Sequence, residues 1–110
     1  MPCNAVATAR AKVGNLAQVI GMEDNELTAI VFQLCQKQFE NEYFGLRIYD
    51  GEVMVNYSRR SGRGTEIAEY AKRVIGALAQ RALAAKVAKL ARVTGQTVAA
   101  NGAMVLEVEL

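Results

Sequence analysis

The fold of this chain is decided by one long stretch, Thr65–Val93, which reads TEIAEYAKRVIGALAQRALAAKVAKLARV. Ala, Leu, Lys, Arg and Glu dominate this stretch, Pro is absent, and Gly76 is its single glycine, so its composition favours a helix. A basic, glycine-containing loop precedes it, and Gly95 lies just beyond it, where helices commonly end. β-hairpin signals lie on both sides. We therefore predict a long helix flanked by two hairpins.

The apolar residues of this helix form two stripes that point in different directions. Those of the first half share one face at about 100° per residue: Ile67, Tyr70, Ala71, Val74 and Leu78. Those of the second half, Leu83, Val87 and Leu90, point roughly half a turn away. Either the helix breaks near Gly76 and turns the second stripe into the core, or it stays straight and exposes that stripe.

We favour a continuous helix, because Gly76 is the only breaker and the alanines around it hold helical structure well. A continuous helix would leave Leu83, Val87 and Leu90 pointing away from the sheet. An exposed row of apolar side chains usually marks a partner surface. These three residues therefore predict self-association, and we expect a homodimer.

The first hairpin signal is Asp50-Gly51, which lies within the alternating residues 44–57 and predicts a two-residue type I′ turn. This turn sets three cross-strand pairs with both members on the core face: Ile48–Val53, Leu46–Val55 and Phe44–Tyr57. Arg47, Tyr49 and Met54 fall on the opposite face. There they form either mixed surface or a contact for a partner.

A second helix is predicted over residues 23–40. Its apolar side chains are expected to face the core: Leu27, Ile30, Val31, Leu34 and Cys35, with Phe32 and Phe39 beside them. The first turn is acidic, and its side chains can accept hydrogen bonds from the free N–H groups of a helix start: Glu23, Asp24, Asn25 and Glu26. A metal site is the alternative use of these carboxylates, although the sequence identifies no distant ligand.

The remaining elements complete a single domain of residues 1–110. Residues 5–13 alternate as a strand does, residues 15–20 predict a short helix ending at Gly21, and Asn101-Gly102 predicts a second two-residue turn between residues 97–100 and 103–110. The resulting order is β-α-α-β-β-α-β-β. It predicts an α+β fold, in which an antiparallel sheet of two hairpins plus an N-terminal strand carries the helices on one face.

The composition argues against most enzyme classes. Histidine is absent, which removes the usual neutral-pH base and the histidine-dependent nucleophile and zinc sites. Cys3 and Cys35 have no metal or redox spacing, and Cys35 fits a small buried apolar residue. No run of residues is apolar and long enough to span a bilayer. We expect a cytoplasmic protein without a cofactor, a metal or a membrane partner.

The charges are segregated along the chain. Residues 59–92 carry a net charge of +7 and the rest carries −5, although the whole chain is only +2. Such a basic segment favours an anionic partner, nucleic acid or an acidic protein, and a solvated helix face is the alternative. The candidate anion-binding residues are Arg59, Arg60, Gly62, Arg63, Gly64, Thr65, Arg81, Lys86, Lys89 and Arg92. The loop is not a P-loop, because the spacing of that motif and its lysine are missing.

One segment resembles a known family. It reads Leu78-Ala-Gln80-Arg81, then Lys86-Val87, then Ala91-Arg92-Val-Thr-Gly95-Gln-Thr97-Val98. This pattern is similar to the small uncharacterised proteins that include hypothetical chloroplast reading frame thirty-five and its cyanobacterial and phage relatives. The resemblance covers roughly the C-terminal quarter of the chain. Residues 82–85 depart from the aromatic and histidine residues of the family, whose function is not established, so the resemblance implies no activity.

Three hypotheses for function follow. The first is a small non-catalytic binding module that contacts an anionic partner through its basic loop and helix. The second is a structural or assembly protein that self-associates, in which the charges serve only solubility. An enzyme is the least favoured, because no catalytic constellation is present in the sequence.

Overall fold

The computed structural model describes residues 6–60, 62–90, 92–98 and 104–109, with side chains described in the first two ranges. Its elements follow the predicted order, and the α+β class is confirmed. In chain order they are β1 (Val6–Lys12), α1 (Leu16–Ile20), α2 (Asp24–Gln38), β2 (Phe44–Tyr49), β3 (Glu52–Ser58), α3 (Gly64–Leu90), β4 (Arg92–Val98) and β5 (Met104–Glu109).

The core lies between one antiparallel sheet and two helices. β3 is the central strand of the order β1-β3-β2, α2 packs on β2, and α3 packs on β1 and β3. The alternating Ala9 and Ala11 of β1 face this core, where their small size presents a shallow surface to α3. The largest fully buried side chains are Leu27, Ile48, Ile67, Ile75, Val31, Val53, Val55 and Cys35.

The first hairpin has the predicted turn and register. Asp50 and Gly51 have φ values of 50° and 76°, as a type I′ turn requires. The three predicted pairs, from Ile48–Val53 to Phe44–Tyr57, are all present. The Gly51 carbonyl accepts hydrogen bonds from the N–H groups of Val13 and Gly14, at 2.8 and 3.0 Å. The turn is therefore tied to the loop that follows β1.

Helix α3 is continuous over 27 residues, as favoured from the sequence. Its fully buried residues are Gly64, Ile67, Ala68, Ala71, Ile75 and Ala79, whereas Tyr70, Val74 and Leu78 are only half-buried. The buried stripe is therefore rotated about the helix axis relative to the predicted stripe. Small side chains let α3 pack on the sheet, so Ala68, Ala71 and Ala79 are buried together with Ile67 and Ile75, whereas Tyr70, Val74 and Leu78 flank them.

Two predictions about the chain after α3 are wrong. The helix ends at Leu90, and Gly95 lies inside β4 instead of at a helix end. β4 and β5 form a separate two-stranded sheet, so the second hairpin does not extend the first sheet as predicted. Asn101-Gly102 lies outside the described residues. However, Val98 pairs with Met104, whereas a two-residue turn at 101–102 would pair residue 98 with residue 105. The observed register therefore differs from the predicted one by one position.

Helix α2 buries only part of its predicted face. Leu27, Val31 and Cys35 are fully buried, whereas Ile30 and Leu34 are 40% and 39% exposed. The buried three are spaced by four residues and form one ridge against the sheet, and Ile30 and Leu34 lie at its edge.

The molecule is elongated. Its radius of gyration is 16.9 Å, whereas a compact domain of this length has about 13 Å. Its principal extents are 64 × 29 × 21 Å. Every fully buried residue of α3 lies at or before Ala79, and the last 11 residues of the helix contain none. We call these last residues, Gln80–Leu90, the α3 arm.

Candidate functional site

Among the large hydrophobic side chains of the described helices, the two most exposed lie on the α3 arm. Leu83 is 54% exposed and Leu90 is 85% exposed, with Val87 half-buried between them. At about 100° per residue the three lie within an arc of about 60°, roughly a quarter turn from the stripe that α3 buries on the sheet. Their spacing of four and then three residues is that of a helix-pairing seam. The predicted self-association residues thus form one surface.

One hydrogen bond connects the α3 arm to helix α1. The Lys86 Nζ donates a hydrogen bond to the backbone oxygen of Val19, at 2.9 Å, and α1 packs along α3. Val19 lies near the end of α1, where a cation is favoured by the exposed carbonyl groups. Lys86 was predicted to bind an anion, and the structure gives its ammonium group an internal partner.

The basic loop has one arginine that is already engaged. Arg63 contacts Glu66 at 3.0 Å and Glu42 at 3.8 Å, and its guanidinium lies 4.9 Å from the centre of the Phe39 ring. Sequence reasoning missed Glu42, since no local spacing links it to the loop. Arg59 and Arg60 are exposed, and neither has a carboxylate within ion-pair distance among the described residues.

The cleft beside this loop is electrically balanced. It has a volume of about 380 Å³ and lies between the start of α3 and the end of α2. Two guanidinium groups and two carboxylates line it: Arg63, Arg73, Glu66 and Glu69. Gly62 and Thr65 also line it, whereas Gly64 is buried against Tyr57. The carboxylates would oppose an anion there, so the free charge of the loop lies at Arg59 and Arg60.

The ten predicted anion-binding residues do not form a single site. Six lie in the loop before α3 or at its first two residues, whereas Arg81 and Lys89 are exposed on the α3 arm, about 24 Å or more further along the helix axis. That distance exceeds the screening length of about 8 Å at physiological salt, so the two groups act independently. Arg92 was expected at the end of the helix and is instead the first residue of β4.

The face of the first sheet that is turned away from the helices is polar and basic. We call it the outer sheet face; it comprises Thr8, Arg10, Lys12, Arg47, Tyr49, Glu52, Met54 and Asn56. Arg10 pairs with Glu52 at 2.8 Å, and the Arg47 guanidinium lies 4.8 Å from the Tyr49 ring centre. Arg10 and Lys12 were not among the predicted site residues. Their alternation with the alanines of β1 was the signal that placed them on one face.

The acidic start of α2 serves the helix and the neighbouring turn. Asn25 Oδ1 accepts a hydrogen bond from the N–H of Glu26 at 2.9 Å, and an oxygen of Asp24 accepts one from the N–H of Asp50 at 3.2 Å. Within the described residues, no group of three histidine, cysteine or acidic side chains could hold a metal ion. These contacts support the helix-start interpretation of the acidic residues.

Cys35 is buried and chemically quiet. Burial raises the pKa of its thiol from 9.0 to about 11, because an apolar surrounding disfavours the thiolate. The thiol is therefore mainly neutral at neutral pH, and its side chain is out of contact with solvent. The predicted role as a small core residue is confirmed, while Cys3 lies outside the described residues.

Comparisons with known proteins do not extend this description. The chain matches no protein-family model, no curated protein and no solved structure. The resemblance of residues 78–98 to the family of chloroplast reading frame thirty-five stays a prediction. Across the part of the chain that the structure describes, no helix has both the length and the apolar content to cross a membrane.

Proposed function

We propose that this protein is an assembly module that self-associates through the α3 arm. The observation that carries the proposal is the exposure of Leu83 and Leu90 on a continuous helix that extends beyond the core. Burying a fully exposed leucine side chain stabilises a protein by about 1.5–3 kcal/mol, so covering most of Leu90 and the exposed half of Leu83 favours a bound state. A second copy offers the same seam, and matching seams are how identical helices pair.

Sedimentation velocity tests this proposal directly. We expect the wild-type chain to sediment as a dimer at micromolar concentration. The double variant Leu83→Glu with Leu90→Glu should sediment as a folded monomer, because pairing would bring four carboxylates into an apolar seam. Circular dichroism of the variant should match the wild type, since both side chains are exposed in a single copy.

A matched control is available on the other side of the same arm. Ala85 and Ala88 are also exposed, and they lie more than a third of a turn from Leu83 and Leu90. Replacing both with glutamate adds the same charge to the same helix and should leave the dimer intact. A wild-type chain that stays monomeric would refute the proposal, as would a dimer that survives the leucine substitutions.

The second candidate function is binding of an anionic partner by Arg59 and Arg60. It is supported by their exposure and by the absence of a carboxylate partner for either among the described residues. Nucleic acid bound in this way would be contacted mainly at phosphate, so its affinity would fall steeply with salt.

Oligonucleotide titrations at two salt concentrations separate this function from simple solvation. If the loop binds nucleic acid, Arg59→Ala with Arg60→Ala should reduce affinity by at least about tenfold at low salt. Arg63→Ala alone should have a smaller effect, because Arg63 is already paired with Glu66 and Glu42. Equal binding by the wild type and the double variant would exclude the loop.

A further inference from the structure

The outer edge of β1 is open. The Val13 N–H donates a hydrogen bond to the Gly51 carbonyl, and Val13 lies opposite Gly51 when the β1–β3 register is continued. Backbone hydrogen bonds alternate along an antiparallel strand, so the N–H and C=O groups of Ala7, Ala9 and Ala11 face β3. The backbone N–H and C=O groups of Thr8, Arg10 and Lys12 therefore point away from β3. In the described chain no strand pairs with this edge. The other edge, on β2, is partly covered, because Thr28 Oγ1 accepts the N–H of Ile48 at 2.9 Å.

Among the described residues, the β4–β5 hairpin pairs with no further strand. Two strands alone are marginal in water, and a third strand is usually needed for a stable sheet. β4 has an irregularity between Val93 and Gly95, which makes its free edge a poor template. β5 is regular over six residues, and in the part of the chain that the structure describes only β4 pairs with it.

The side-chain patterns of β1 and β5 are complementary. In the sequence of β5, Met104, Leu106 and Val108 alternate with Val105, Glu107 and Glu109, so the two sets belong to opposite faces of a strand. β1 has alanines on its core face and Arg10 and Lys12 on its outer face. Side by side, the two strands would place the apolar residues of β5 level with the core, and they would bring Glu107 and Glu109 next to Lys12 and to Arg10, which already pairs with Glu52. Opposite charges on neighbouring strands stabilise their pairing.

Within one copy this pairing is not formed, since β5 belongs to a separate sheet. The first part of α3 lies on β1 and β3, and the α3 arm then carries the chain about 16 Å beyond the last buried residue before β4 begins. We propose that β5 of one copy pairs with the outer edge of β1 of a second copy, reciprocally, which turns each three-stranded sheet into a five-stranded one. This inference rests on the proposed self-association and names the second contact that completes it.

Reversing the charges on the two strands provides a test in the 110-residue chain. The first variant combines Arg10→Glu, Lys12→Glu and Glu52→Lys, in which the third change keeps the ion pair of residues 10 and 52 with its sign reversed. The second combines Glu107→Lys and Glu109→Lys. Each alone should self-associate about tenfold or more weakly than the wild type at low salt, because like charges then face each other at both junctions. An equimolar mixture should recover most of the lost affinity, because every junction is complementary again.

A second measurement addresses the backbone and does not depend on charge. The Arg10 N–H points out of the sheet, so Arg10→Pro leaves the β1–β3 ladder intact while it blocks the open edge. Arg10→Ala is its matched control, because it loses the same ion pair. We expect the proline variant, its fold verified by circular dichroism, to dimerise about tenfold or more weakly than the alanine variant.

The outcomes separate the two proposals. A wild-type monomer would overturn both. A dimer that is broken by Leu83→Glu with Leu90→Glu, but that shows neither recovery on mixing nor a difference between proline and alanine at position 10, would overturn the strand pairing alone.

Discussion

Replacing Gly51 with valine is expected to lower the free energy of unfolding by about 2 kcal/mol or more. Gly51 has a φ of 76°, a left-handed conformation that a β-branched residue resists strongly. A Cβ at this position would also lie 3.0 Å from the carbonyl oxygen of Gly14, which is tighter than an ordinary contact. Conformational strain and contact therefore act in the same direction. Urea unfolding at a fixed protein concentration measures the loss.

Gly45→Val is the matched control for this prediction. Gly45 lies on β2 of the same hairpin and lacks a positive φ. A Cβ there would meet only the Cβ of Asn56, at 4.0 Å. Valine suits a strand better than glycine does, so this variant should be as stable as the wild type or slightly more stable. An equal loss at both positions would contradict the role of the turn.

Gly64→Ala is expected to destabilise the protein by about 1–3 kcal/mol, although alanine is the better helix former. Gly64 is the first residue of α3 and is buried, and a Cβ at this position would overlap the ring of Tyr57. The ring is half-buried on the core face of β3, so it cannot move away without disturbing its neighbours. Urea unfolding again provides the measurement.

Two comparisons isolate the cause. Gly76 lies in the same helix, and a Cβ at this position would meet no atom within 4 Å, so Gly76→Ala should stabilise the protein by about 0.5–1 kcal/mol. In a Tyr57→Ala background the ring is gone, and Gly64→Ala should then have little effect. A loss at Gly64 that is unchanged in that background would show that the Tyr57 ring is not the reason.

The elements that local chemistry specifies could be predicted from the sequence. Asp50-Gly51 fixed the turn and register of the first hairpin, and the alanine-rich composition indicated a continuous α3 despite Gly76. The orientation of α3 could not be predicted as well, because alanine is tolerated on any face. Its close approach to Ala9 and Ala11 depends on the shape of the sheet.

The candidate sites were less predictable, because charge along a chain does not show where each charge is neutralised. Arg63 meets Glu42 from a distant loop, and Lys86 meets a carbonyl of α1, so two expected anion ligands are used internally. The exposure of Leu83 and Leu90 was predicted correctly, since a helix period alone determines that they share a face, whereas their role in self-association stays a prediction.

The two strand pairs of the first sheet, β2–β3 and β1–β3, differ in the sequence separation of their strands. We therefore expect them to form in a definite order during folding. β2 and β3 meet across a two-residue turn, whereas the Arg10–Glu52 contact joins residues 42 positions apart. Closing the longer loop loses more chain entropy and is slower, so the hairpin can form before β1 docks on it. β1 should also be the strand that opens most readily in the native protein, exposing β3 as a temporary edge. The two hydrogen bonds from Val13 and Gly14 to the turn must break for β1 to separate, so they oppose that opening.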